Sequence, residues 1–130
     1  MSEVTKGNLR IVIVEPNEKA IIMEISNTLE DMQETVGGYI ETYEPFEDNC
    51  IIVCDEEGKL KGLPLNRAIR DKDGNIIDII CGSFFICYAP FESENFESLS
   101  DELAEKYVNL FKTPEMFIKT ENGIAVIPME

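Results

Sequence analysis

Apolar residues come in short runs separated by acidic, turn-forming stretches, a rhythm that predicts many strands and few helices. Leu9 to Val14 and Ala20 to Ile25 flank Glu15-Pro16-Asn17 and read as a hairpin. After Ser26 the period changes, with Leu29, Met32 and Val36 recurring at helical intervals until Gly37-Gly38 stops the run. Ser26 and Asn27 offer N-caps to this helix, and Glu30 stands at capping-box distance from Asn27. Tyr39 to Tyr43 and Asn49 to Cys54 give two further strands on either side of the acidic turn from Glu44 to Asp48.

In the second half, Asp73-Gly74 marks a tight hairpin between Ala68-Ile69-Arg70 and Ile76 to Ile80. Phe84 to Ala89 continues the sheet after Gly82, a candidate bulge. The clearest helix runs from Leu99 to Phe111, with Ser98 as its cap and Leu99, Leu103, Tyr107, Leu110 and Phe111 as its apolar face. Beyond Pro114, Met116 to Thr120 and Ile124 to Ile127 turn about Asn122-Gly123.

No strand-helix-strand crossover repeats along this order, which argues against a parallel sheet. The expected fold is therefore α+β: a mainly antiparallel sheet with two helices packed on one face and a C-terminal β-hairpin, in a single domain over 1–130. Ile11, Ile13, Leu29, Met32, Ile52, Ile80, Phe85, Leu103 and Tyr107 are the expected core.

Composition changes the picture only through charge. A chain of 130 residues with 44% hydrophobic residues buries a core without staples. Twenty-six Asp and Glu against eleven Lys and Arg leave a net charge of −15, far beyond what solubility requires. A field of that sign repels phosphate backbones and attracts basic surfaces, so no direct nucleic-acid ligand is expected. Met1 to Lys6 carries no apolar leader, and no apolar run approaches the roughly 20 residues of a membrane span. A cytoplasmic protein with no membrane partner is expected.

Several chemistries fail on their own terms. Asp71, Asp73 and Asn75 open like a calcium loop, but Ile76 stands where that loop bends on glycine and Gly82 where it closes on glutamate. Cys50, Cys54, Cys81 and Cys87 lie inside strands without any histidine nearby in sequence or elsewhere, which suits buried thiols in a reducing compartment rather than zinc. The missing histidine also removes the commonest base for a serine or cysteine nucleophile. A non-enzymatic protein without cofactor or metal is the expectation.

Against the acidic background, Lys59, Lys61, Arg67, Arg70 and Lys72 crowd into the segment 59–72. Gly58 and Gly62 allow backbone N–H groups to turn toward an anion, and Lys59, Lys61, Asn66 and Arg67 form a candidate ligand-binding set for a nucleotide-type molecule. The competing reading is intramolecular, with Arg67 paired to one of the many carboxylates, Asn66 holding a turn through its own side chain and Lys59 decorating a loop.

The ordered combination of Val36-Gly37-Gly38-Tyr39-Ile40-Glu41, Asp55-Glu56-Glu57-Gly58-Lys59-Leu60, Gly62-Leu63-Pro64-Leu65-Asn66-Arg67 and Asp78-Ile79-Ile80-Cys81-Gly82-Ser83 resembles a domain-of-unknown-function family common in phages and integrative conjugative elements. The resemblance spans about residues 9 to 112. Asp55 stands where that family more usually has asparagine and Ser83 where it often has proline, and the hairpin after Pro114 lies outside. The resemblance implies an accessory protein of a mobile genetic element and gives no reaction.

The first functional expectation is thus a binding protein that engages a basic host protein, as an inhibitor of host defence, through acidic helix faces. Glu30, Asp31 and Glu34 form one such face and Asp101, Glu102 and Glu105 the other. Capture of a small anion at the basic segment is the second. The apolar C-terminal hairpin either packs on the same core or pairs with a second copy, and of the two a symmetric homodimer is the expectation.

Overall fold

A computed structural model describes residues 7–129. Nine strands and two helices are present among them. They are β1 (Asn8–Val14), β2 (Ile21–Ser26), α1 (Leu29–Val36), β3 (Ile40–Tyr43), β4 (Cys50–Asp55), β5 (Leu65–Arg70), β6 (Ile76–Cys81), β7 (Phe84–Tyr88), α2 (Asp101–Leu110), β8 (Glu115–Thr120) and β9 (Gly123–Pro128). The expected elements are all present, within a few residues of the expected bounds.

Every strand pairing is antiparallel. The main sheet has the order β2-β1-β7-β4-β3, and the hairpins β5-β6 and β8-β9 form two smaller sheets. One connection departs from the sequence reading. β7 does not extend the β5-β6 hairpin; it enters the centre of the main sheet between β1 and β4. Gly82, at φ 82°, makes that change of direction, and an added Cβ would lie 2.7 Å from Leu63 Cδ1.

Alternation along the central strands divides the core in two. Leu9, Ile11, Ile13, Val53 and Phe85 face Met32 and Val36 of α1. Val12, Val14, Ile52, Phe84 and Ile86 face Ala104 and Tyr107 of α2, together with Ile69 of β5 and Ile80 of β6. The expectation that both helices share one face is therefore corrected. β1, β4 and β7 are apolar on both sides, and one short helix is too small to cover one side of five strands while the other side stays dry.

Local capping explains two smaller corrections. Thr28, not Ser26 or Asn27, is the N-cap of α1: its hydroxyl accepts the Asp31 N–H at 3.2 Å, while Asp31 accepts the Ser26 N–H at 2.8 Å. Leu29, expected in the core, is the first residue of the helix and is 56% exposed. Ser100, not Ser98, caps α2, because the Ser98 hydroxyl accepts the N–H of Arg10 at 2.7 Å. Leu103 is half-buried against the α2-side core, and the other expected core residues are buried.

Candidate functional site

The basic segment dissolves into separate internal contacts. After β4, the chain turns at Gly58, whose N–H reaches the Asp55 carbonyl, and Gly58 packs so closely that a Cβ would lie 2.8 Å from the Cys81 carbonyl oxygen. Lys59 then pairs with Asp78 at 2.8 Å, which raises its pKa despite partial burial. Lys61 crosses in another direction, donating to Asp55 Oδ2 at 2.7 Å and to the Gly37 carbonyl at 3.3 Å.

The Lys61 contact joins three of the sequence motifs. Asp55 has a buried side chain and also accepts the Glu57 N–H at 2.9 Å. Burial alone would raise its pKa, but the Lys61 ammonium and the Glu57 N–H outweigh it and hold the carboxyl below its usual range. Gly37 closes α1 in the left-handed conformation at φ 89°, and Gly38 leaves the space that the ion pair fills, since a Cβ there would lie 2.6 Å from Lys61 Nζ. A cation thereby sits at the negative end of α1.

Arg67 and Asn66 are fully inside the protein, 1% and 0% exposed. Asn66 donates to the carbonyls of Val14 at 2.9 Å and Gly82 at 2.8 Å, tying β5 to the main sheet and to the β6-β7 turn. Its own Oδ1 accepts from Arg67 Nη1 at 2.9 Å. Arg67 Nη2 donates to the carbonyls of Phe111 at 2.9 Å and Glu18 at 2.6 Å, and Nε reaches Phe111 at 3.3 Å. Burial lowers the Arg67 pKa, with Glu115 opposing. Guanidinium remains protonated at neutral pH, so the carbonyls and the C-terminal end of α2 serve as its solvent.

Lys59, Lys61, Asn66 and Arg67 are thus not gathered into one anion site, and the two strongest members expose no donor to a ligand. All four make contacts inside the chain, although Arg67 is held by carbonyls and the Asn66 amide oxygen rather than by a carboxylate, and Asn66 ties separate strands together rather than holding a turn of its own. Sequence spacing alone could not separate the alternatives, because both require the same donors beside the same glycines.

A cleft of about 200 Å³ does lie next to this region, bounded by Glu41, Tyr43, Cys54, Lys59, Asp78 and Cys81. It is smaller than a common ligand pocket, and its one cation is already paired with Asp78. Burial pushes the Cys54 thiol up to about 11 and raises that of Cys81, so both are protonated at neutral pH. All four cysteines are buried and unbonded to each other. No group of three or more His, Cys, Asp or Glu among the described residues could hold a metal ion. The Asp71 carboxylate accepts the N–H groups of Asp73 and Asn75 at 2.9 Å, the contacts of a plain hairpin turn.

The acidic faces are real surface features, on opposite sides of the sheet. Glu30 and Glu34 of α1 and Glu102 and Glu105 of α2 are exposed. Asp31 is engaged in the α1 cap, and Asp101 pairs with Arg10 at 2.6 Å. Five cations form ion pairs and Arg67 is buried, leaving Lys19, Lys72, Lys112 and Lys119 as the other exposed cations among the described residues.

The C-terminal hairpin joins neither buried cluster. Glu115 anchors it, accepting the Ala68 N–H at 2.8 Å and pairing with Arg70 at 3.1 Å. Its register places Met116, Ile118, Ala125 and Ile127 on one face without a charge among them, and Met116, Ile118 and Ile127 are more than two-fifths exposed. No helix among the described residues is long and apolar enough to cross a membrane.

No curated protein and no solved structure matches the chain. A family described as a domain of unknown function, DUF3846, matches residues 9–112, leaving out the hairpin after Pro114. That span contains the Gly37-Gly38 cap, the Asp55–Lys61 pair, the buried Asn66 and Arg67 and the turn at Gly82, and with most of its length matched the chain belongs to the DUF3846 family.

Proposed function

We propose that this protein is a non-enzymatic accessory binding protein that engages a basic protein through its acidic surface. The observation that carries the reading is the distribution of charge after folding. Arg10, Lys59, Lys61, Arg70 and Lys106 are each paired with a carboxylate of the chain and Arg67 is buried, whereas Glu30, Glu34, Glu102 and Glu105 point to solvent without an ion pair among the described residues. Such a surface accelerates encounter with a positive partner and rejects nucleic acid. In the mobile-element setting that the family resemblance implies, the partner is a basic host protein of a defence system, which the acidic protein inhibits. The cell compartment consistent with this role and with the buried free thiols is the cytoplasm.

The test is capture from host lysate on the immobilised protein at low and at high salt. A partner retained at low salt and released at high salt supports the reading; no partner under either condition defeats it.

A second copy of the chain is the other partner, proposed for the hairpin. The face bearing Met116, Ile118, Ala125 and Ile127 lacks carboxylates, so two copies can meet there without bringing their acidic faces together.

A further inference from the structure

The outer edge of β2 has no strand partner among the described residues. β2 ends the five-stranded sheet, and among the described residues its strand partner is β1 alone. Register tells which of its backbone groups face outward. Arg10 of β1 sends its N–H to Ser98 Oγ and accepts the Leu99 N–H on its carbonyl, both away from β2. Glu24, directly opposite Arg10, is therefore in a non-hydrogen-bonded pair and turns its own N–H and C=O outward.

The same parity applies two residues away on either side. The Ser26 N–H does point outward, to Asp31 Oδ2 at 2.8 Å, while the Asn27 N–H points inward to the Gly7 carbonyl. Ile22 and Glu24 thus each turn outward an N–H and C=O that have no partner among the described residues, on an edge whose side chains Ile21, Ile22 and Met23 are 52%, 50% and 41% exposed. Protective lysine, proline and bulge, the usual means of blunting such an edge, are missing from β2.

Charge identifies what fits. α1 contacts β2 from one face of the sheet and α2 from the other, which brings Asp31 to Ser26 at one end of the strand and Asp101 to Arg10 on its neighbour, with Glu24 on the strand itself. Asp31 at the Ser26 end and Asp101 beside Arg10 mark how closely the two helices approach. A second copy adding there would bring Glu24 and the net charge of −15 against their own equivalents, whereas a cationic strand meets them as counter-charges.

We propose that β2 is a docking edge for an extended basic segment of a partner protein, which adds to the main sheet as a further strand between the two acidic helices. This rests on the acidic-surface reading above and goes further by requiring main-chain hydrogen bonds.

The experiment compares binding of a labelled peptide of alternating lysine and valine with binding of the same peptide N-methylated at alternate residues, by fluorescence anisotropy. The Ile22→Pro variant supplies a second arm, because Ile22 makes no ladder bond to β1 and proline there removes only an outward donor. Strand addition predicts that N-methylation and Ile22→Pro each weaken binding by about tenfold or more, through the lost bonds. If Ile22→Pro lowers folding, the N-methylated peptide decides alone. Equal binding of both peptides overturns strand addition and leaves the acidic-surface reading intact; binding of neither overturns strand addition, and the lysate capture then judges the surface reading separately. A dimer that Ile22→Pro converts to monomer also overturns the proposal, since the edge would then belong to a second copy.

Discussion

Arg67 of β5 closes the C-terminal end of α2 by donating to the Phe111 carbonyl through both Nε and Nη2, at 3.3 and 2.9 Å. The last turn of α2 carries no basic residue, so this cation, forty-four positions away, takes that place. Lys61 does the same for α1 at Gly37. One basic segment therefore terminates the two helices on opposite faces of the sheet, which gives Lys61 and Arg67 a structural role.

Arg67→Ala is expected to destabilise the fold by on the order of 3 kcal/mol, because it orphans the carbonyls of Phe111 and Glu18 and leaves a cavity. Urea unfolding should show the midpoint falling. An unchanged midpoint would contradict the capping role.

Stability should fall in acid partly through Asp55. Its folded pKa lies below the ordinary value of 3.8, so its contribution is present above 3.8 and is lost as pH drops through the lowered value. Asp55→Asn should flatten that part of the melting-temperature profile and lower stability at neutral pH. A profile with the same slope in the variant would assign the acid sensitivity elsewhere.

Gly38→Ala is expected to cost more than the roughly 1 kcal/mol gained or lost by glycine substitutions in open positions, since the new methyl collides with the Asp55–Lys61 pair. Gly74→Ala, at φ 86° with open space around it, serves as the control for backbone strain alone. Thermal unfolding of the two variants separates collision from strain.

Light scattering at high protein concentration should report a dimer that Ile118→Glu converts to a monomer without loss of secondary structure, if the uncharged hairpin face is the contact. A wild-type monomer removes the hairpin dimer and leaves the rest of the fold unaffected.

The four thiols should react slowly with an aromatic disulfide reagent in the native state and fast in denaturant. Burial raises Cys50 to about 12 and Cys54 to about 11, suppressing the thiolate as well as access. Rapid reaction of one native thiol would show an opening near it.

The sequence by itself determined the elements. Apolar runs of strand length, the helical spacing of Met32 and Val36, and turns at Asp73-Gly74 and Asn122-Gly123 are local signals, readable because backbone conformation answers to near neighbours. The family resemblance was legible for a related reason: glycines and charged residues at fixed spacing mark local turns and caps. Only the tertiary structure decided where those elements meet. Strands apolar on both sides accept helices on either face, so periodicity could not place α1 and α2 on opposite sides, nor send β7 past its neighbour β6 into the centre of the main sheet. The same limit governed Lys61 and Arg67: a cation near glycines suits an anion or a helix end equally well, and the partner in each case comes from a distant stretch of chain brought close by packing.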